Sequence, residues 1–502
     1  NQNRNQSPSA AIEYSPQSPV TNESVTFNAS ASRDPDGHIV SYEWDFGDGT
    51  TTTGQSIEHA YTASGNYTVS LTVTDNASQS TTVSRTVTVV NGTQTLVVDG
   101  DADGDDEYAT IQAAVDDASD GDTVSVRNGS YAGVTLDKNL TLVAPNGATI
   151  DNSSAEDQFS AILIQGHAEP TVSGFTLTRS VGVSAFDSKG DWTIRDTTIV
   201  GGEFGIGAGR QNAWTIANVT IINTGRGITA GSADGDWTVR NSTFEDNNRA
   251  IFAADASGNW TVRESIFINT SHEAIFAFNT QGAWAVTDVR FERAGAMGVD
   301  AGESTADWTV QNTTFEDTPD AIVADDAVGD WTVSDSVFTN ASDVAIDAFR
   351  TEGAWTVKNV TVERVGNTGI NAYESTGDWT VRNATIVDSG RLGIEASQTA
   401  GDWRVLDSVV HNATVTETPV TPRGVGIAAT DTTGDWEVYG TILTDNENAA
   451  LNATNATFAG DATHNYWGAS DGPGGDFAGS GDEAVGNVTV RPYYTDADLT
   501  TL

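Results

Sequence analysis

Tryptophan recurs along this chain at a nearly constant interval. From Trp192 the indoles fall at 214, 237, 260, 284, 308, 331, 355, 379 and 403, with gaps of 22 to 24 residues, and two more follow at 436 and 467. A unit that short cannot bury an apolar face alone. It must stack on its neighbours, which makes the chain a solenoid. One repeat reads Gly235-Asp236-Trp237-Thr238-Val239-Arg240-Asn241-Ser242-Thr243-Phe244, then Ala250-Ile251-Phe252-Ala253. Three β-prone pieces are visible, Trp-Thr-Val, Ser-Thr-Phe and Ala-Ile-x-Ala, with glycine or polar turns between them. Their period of two excludes helical repeats, and the leucine and asparagine ladder of leucine-rich repeats is missing. The pattern predicts a parallel β-helix with three strands per turn. About 400 residues at roughly 24 per coil give about 17 coils, a rod on the order of 80 Å. Trp237 and Val239 share one side of their strand, so the indoles are expected as a buried coil-to-coil stack. The alternative is that the rings form a platform for sugars.

A longer period lies inside the first. Gly282-Ala283-Trp284 matches Gly353-Ala354-Trp355, 71 residues on, and Phe315-Glu316-Asp317 follows Phe244-Glu245-Asp246 by 71. The rod has grown by blocks of three coils, which favours selection on length or on a repeated surface over one unique pocket.

Ahead of the repeats the pattern differs. Residues 1–9 are polar and Pro/Ser-containing and read as a flexible arm, or as one that docks on another subunit and joins copies head to tail. Residues 10–91 hold short alternating strands such as SVTFNAS, HIVSYEWDF and NYTVSLTVT, parted by turns at Asp34-Pro35-Asp36-Gly37 and Gly47-Asp48-Gly49. They predict a small antiparallel β-sandwich. The run SASRDPDGHIVSYEWDFGDGTTTTG followed by HAYTASGNYTVSLTVTDN resembles a PKD domain, whose signature is Trp44-Asp45-Phe46-Gly47-Asp48-Gly49. That resemblance implies an immunoglobulin-like sandwich used as a spacer or adhesion module, without catalysis. It places Trp44 and Phe46 in the core and Asp48 and the glycines in a turn.

Residues 92–108 form an acidic linker. Asp99, Asp101, Asp103, Asp105 and Glu107 alternate round Gly104, an arrangement that can wrap oxygen ligands about Ca2+. Thr110 stands where an EF-hand would need its closing glutamate, so the loop is not a complete EF-hand. A solvated acidic linker is the alternative. The β-helix then occupies 109–502, opening with a short helix that puts Ile111 and Val115 on one face. TIQAAVDDASDGDTVSVRNGSY resembles the first coil of right-handed, pectin-lyase-like β-helix proteins of the NosD and surface-repeat type. ATHNYWGASDGPGG is similar to their closing motif. The resemblance implies the fold; the superfamily spans lyases, hydrolases, tailspikes and adhesins. None of its usual enzyme signatures is present, and Arg179, Arg195, Arg210 and Arg226 are candidates only by being basic. With 70 acidic residues, carboxylate pairs suited to glycoside hydrolysis arise unavoidably.

Charge narrows the setting. Seventy acids against 23 bases give a net charge of −47, and only Lys138, Lys189 and Lys358 are lysine. Such a chain repels itself at low ionic strength. At molar salt the screening length falls to about 3 Å, so a high-salt habitat is expected. The charge argues against nucleic acid as a partner. The absence of cysteine excludes disulfides and thiol chemistry. No 18-residue apolar run exists to span a membrane. The opening NQNRNQSPSA reads as a mature N-terminus after export, and about twenty Asn-x-Ser/Thr sequons fit an exported surface. The six histidines are too dispersed to suggest a metal site.

Three readings follow. The first is an extracellular structural or adhesive cell-surface protein, self-associating into a filament or binding carbohydrate. The second is a secreted polysaccharide-active enzyme, and the third a viral tailspike or fibre.

Overall fold

A computed structural model describes residues 5–100, 107–151, 160–209, 213–413 and 424–500. The chain divides into two units, Asn1–Thr95 and Leu96–Leu502.

The first unit is the expected sandwich. Strands Glu13–Ser15, Val25–Asn28 and Ser56–His59 make one antiparallel sheet; Ile39–Asp45, Thr51–Thr53, Gly65–Asp75 and Ser80–Val89 make the other. Alternate residues face inward, and Val25, Phe27, Trp44, Phe46, Val69, Leu71, Val73 and Val87 fill the core. The Trp44 indole donates to Gly54 O at 2.9 Å, so its polar edge is satisfied inside. Asp48 accepts the Thr50 amide at 3.0 Å between Gly47 and Gly49, both at positive φ. His59 does more than sit on a surface: it stacks on Phe46 at 4.0 Å and meets Asp48 at 2.7 Å. Of the arm, residues 5–9 are described, and they bond to their own module. Ser9 and Arg33 exchange backbone hydrogen bonds at 2.7 and 3.0 Å, and Asn5 Nδ2 donates to Asp75 at 2.6 Å. Asn5, the Gln6 amide, Ser7 and Ser9 thus find partners on their own module, while residues 1–4 of the arm lie outside the described residues.

The second unit is a right-handed parallel β-helix built from a 28-stranded and a 16-stranded sheet. The three pieces of each coil are present, as at Trp237–Arg240, Thr243–Glu245 and Arg249–Phe252. The first two run in one sheet, bent at a left-handed residue four positions after each tryptophan. Asp196, Asn218, Asn241, Glu264, Asp288, Asn312, Asp335, Asn359, Asn383 and Asp407 all have φ between 49 and 57° there. Asn and Asp tolerate that region best among residues with a Cβ. Two further columns of left-handed residues turn the other corners, through Asp246, Asn269 and Asn340, and through Asp255, Asn279 and Asp326.

Tryptophan faces tryptophan on every rung from Trp192 to Trp436, with ring centroids 4.7–5.4 Å apart and planes within 7° of parallel. All are at most 5% exposed. The rings are therefore core, and a solvent-facing sugar platform made of indoles is excluded. Phe244, Phe267, Phe291, Phe315 and Phe338 stack in a second internal column. The indole column stops where Gly460 follows Trp436: a Cβ there would run into the Trp436 ring. At the other end the helix Ile111–Asp117, N-capped by Thr110, buries Ile111, Ala114 and Val115 in the same core.

Candidate functional site

The residue before each tryptophan is Asp or Asn in most coils, and its role is clear from the hydrogen bonds. Asp191 Oδ1 accepts the amide of Ala213 at 2.9 Å, Asp236 that of Asn259 at 2.8 Å, Asp307 that of Asp330 at 3.0 Å and Asp378 that of Asp402 at 2.9 Å. Each carboxylate satisfies a backbone N–H of the next coil, one that the strand ladder leaves free. Ala213, Ala283 and Ala354 interrupt the series.

These acids form one wall of a groove of about 1430 Å³ that runs along the β-helix from Glu169 to Arg404. The residue after each tryptophan lines it too: Thr193, Thr215, Thr238, Thr261, Thr309, Thr332, Thr356 and Thr380, with Ala285 and Arg404 at the other two positions. All eight threonines are half-buried. Elsewhere the solenoid's serines and threonines bond to their surroundings, as Thr280 does to Ser304 at 2.8 Å. The groove therefore offers hydroxyl oxygens on eight coils and carboxylate oxygens on several, with neighbouring coils about 4.8 Å apart. Such groups suit a ligand rich in hydroxyls. The negative wall disfavours a polyanion.

A second cluster lies on the outer face of the 16-stranded sheet. The third piece of the coil carries an apolar residue at its x position in Phe252, Phe276 and Val323, but an acid in Asp300, Asp347 and Glu395. Register stacks these positions in one column, Asp300 beside Val323, Val323 beside Asp347, Asp347 beside Asn371 and Asn371 beside Glu395. Asp325 lies two residues beyond Val323. Burial pushes the Asp300 carboxyl up to about 6, with Glu273 adding to it. Burial pushes Asp325 up to about 7, helped by Asp347, Asp326 and Asp300. Burial and Asp343 raise Asp320 to about 6. Burial raises Asp347 and Glu395 as well. Among the described residues Asp325 Oδ1 is buried without a hydrogen-bond partner. Below this column arginines interleave with aromatic rings: Arg226 lies 4.3 Å over Phe252 and Arg249 4.8 Å over Phe276. Arg249 also pairs with Glu273.

Sequence reasoning missed this cluster because it sought pairs among 70 acids. The signal was positional: Gly-Val-Asp-Ala, Ala-Ile-Asp-Ala and Gly-Ile-Glu-Ala break an otherwise apolar pattern at one fixed place in the coil. Of the arginines singled out, Arg195 pairs with Asp196 at 2.6 Å, Arg226 packs on Phe252, Arg179 is 9% exposed, and Arg210 lies outside the described residues. In the acidic linker, Asp99 and Glu107 both hold Arg127, at 2.5 Å each. Asp101, Asp103 and Asp105 lie outside the described residues. Among the described residues no group of three or more acids or histidines is placed to hold a metal ion.

Comparison with known families bears on this geometry. The right handed beta helix region matches residues 123–291 and 298–465. The chain belongs to the right-handed β-helix family. Ahead of the β-helix, residues 5–90 match the PKD domain. Two curated relatives share short stretches: a microbial collagenase of Vibrio alginolyticus, 42% identical over 97 residues, and halomucin of Haloquadratum walsbyi, 42% identical over 90 residues. Those stretches are 19% and 17% of this chain, and 12% and 1% of the relatives. The chain thus spans a small part of the curated relatives it matches. The crystal structure of the PKD1 domain of Vibrio anguillarum Epp is 39% identical, covering 18% of this chain and 100% of that one, with a TM-score of 0.16. A GH87 α-1,3-glucanase from Streptomyces thermodiastaticus strain HF3-3 covers 87% of this β-helix chain and 94% of its own at 12% identity, with a TM-score of 0.41.

Proposed function

We propose that the chain is an extracellular surface protein of a salt-rich habitat. Its β-helix holds a linear, uncharged polysaccharide along the groove beside the tryptophan column, and the PKD domain serves as a spacer. One observation carries the reading: two runs of four threonines, parted by Ala285, line a continuous groove that acids at positions 191, 236, 307, 330, 378 and 402 also line. A polymer of repeating sugars meets a hydroxyl, a carboxylate or both at most coils, so affinity accumulates along the groove as in any multivalent contact. Export is supported by the sequons, by the acidic surface and by the PKD domain. Among the described residues no helix is long and apolar enough to cross a membrane.

Retention on insoluble neutral polysaccharides at molar salt tests this. The triple variant Thr309→Val, Thr332→Val, Thr356→Val keeps the β-branched shape and removes three hydroxyls. It should release the polymer at least about fivefold more readily, since each net hydrogen bond contributes about 1 kcal/mol, while melting where the parent melts. A parent protein that no neutral polysaccharide retains would sink the reading.

Asp325 favours a second one. A carboxyl that burial lifts to about 7 among other acids lies in the range of a general acid. On that reading Asp325 donates a proton to a glycosidic oxygen while Asp347 or Asp300 activates water. Release of reducing ends that Asp325→Asn abolishes would establish it. Calcium at Asp99, Asp101, Asp103, Asp105 and Glu107 is the cofactor expected of the linker. A calcium-dependent rise in melting temperature, absent in Asp103→Ala, is its test.

A further inference from the structure

The first corner of the coil carries a repeated modification motif. In the left-handed column four residues after each tryptophan, Asn241-Ser242-Thr243, Asn312-Thr313-Thr314 and Asn383-Ala384-Thr385 are Asn-x-Ser/Thr sequons spaced by 71 residues. We infer that Asn241, Asn312 and Asn383 carry Asn-linked glycans, one per three coils, in a single line along the β-helix.

The geometry is the same at all three. The asparagine is exposed at φ of 51, 49 and 50°, at the outside of a turn. The middle residue is buried and anchors the turn, and the threonine sits half-exposed at the start of the next strand. Each amide nitrogen donates one hydrogen to the residue directly below it. Asn241 reaches Asn218 Oδ1 at 3.4 Å, Asn383 reaches Asn359 Oδ1 at 2.8 Å, and Asn312 bonds to Asp288 Oδ1. A carboxamide nitrogen has two hydrogens, so the second is left for substitution. In that transfer Nδ2 forms a bond to the anomeric carbon of a glycosyl phosphate donor. The carbon–phosphate oxygen bond breaks, the phosphate leaves with the electron pair, and Nδ2 gives up its second proton. The hydrogen bond down the column survives.

The rest of the column explains the spacing. Glu264, Asp288 and Asp335 occupy intervening rungs, Asp407 the rung after Asn383, and none has an amide to modify. Asn218 and Asn359 also begin sequons, but each lies one rung, about 4.8 Å, below Asn241 or Asn383. A branched sugar is wider than that, so the two members of a pair exclude each other. Three coils separate the proposed sites by about 14 Å, room enough for each. The corner lies within the 28-stranded sheet. A line of neutral sugars also replaces part of a like-charged surface with hydrated polar bulk.

Mass spectrometry of peptides from the protein isolated from its native producer tests the inference. Hexose-bearing masses are expected on the peptides holding Asn241, Asn312 and Asn383. The variants Thr243→Val, Thr314→Val and Thr385→Val should each remove one glycan mass and leave the melting temperature in place, because the asparagine column is untouched. Adhesion to polysaccharide can fail without bearing on this result. Unmodified peptides at all three positions, or glycans confined to sequons elsewhere, would overturn it.

Discussion

Trp308→Ala should lower the stability of the β-helix by about 3–5 kcal/mol. The ring lies between Trp284 and Trp331, 4.8 Å from each, and is 2% exposed. Truncation empties a slot that neighbours on adjacent rungs cannot fill, because backbone ladders fix the rung spacing. A control separates ring burial from hydrogen bonding. Trp308 Nε1 is buried without a partner among the described residues, whereas Trp355 Nε1 donates to Thr351 at 3.1 Å. Trp355→Phe should therefore cost about 1 kcal/mol more than Trp308→Phe. Calorimetry at molar salt reads both, and equal losses for the two Phe variants would show that the indole nitrogens do not matter. An unchanged melting temperature for Trp308→Ala would remove the column from the account of stability.

Asp325→Asn should stabilise the protein at pH 8 and do little at pH 4. The folded carboxyl is pushed up to about 7 by burial and by Asp347, Asp326 and Asp300, while in the unfolded chain it titrates in the ordinary range near 3.9. A raised folded value means that the group favours folding below the unfolded value, and that this contribution is lost as pH rises from about 4 through 7. At pH 8 the fold carries a poorly solvated negative charge with an unpartnered oxygen; an amide removes the charge. After discounting for residual solvent the gain is about 2 kcal/mol. Urea midpoints for parent and variant across this range should diverge upward in pH. Curves that stay parallel would place the Asp325 carboxyl in water.

Much of the fold was legible. The tryptophan interval specified the rung, the period-two pieces specified strands, and the DFGDG turn specified the sandwich. Periodicity reports what recurs, and the ladders that recur are structural. Two strands sharing one sheet was harder to read, since the bend depends on a left-handed residue rather than on a break in hydrophobicity. The asparagine and aspartate columns were present in the sequence at constant offset from each tryptophan, yet polar residues in a turn look interchangeable until a hydrogen bond is traced from one coil to the next. The acids of the 16-stranded sheet were invisible for the opposite reason. Their meaning lies in departing from the repeat, and a composition with 70 acidic residues hides the few that do so. The arm looked free because polarity alone does not reveal that Arg33, Asp36 and Asp75 present matching partners.

The hydrogen bonds themselves repeat every 71 residues. Trp284 bonds to Thr280 as Trp355 does to Thr351, and Arg293 bonds to Asn269 as Arg364 does to Asn340. Unequal crossing or recombination at that interval joins faces already shaped to fit, so a gene can add or lose three turns in one event and every side chain keeps the company it had. Length of the β-helix becomes a trait that varies in discrete steps, without passing through an unstable intermediate length.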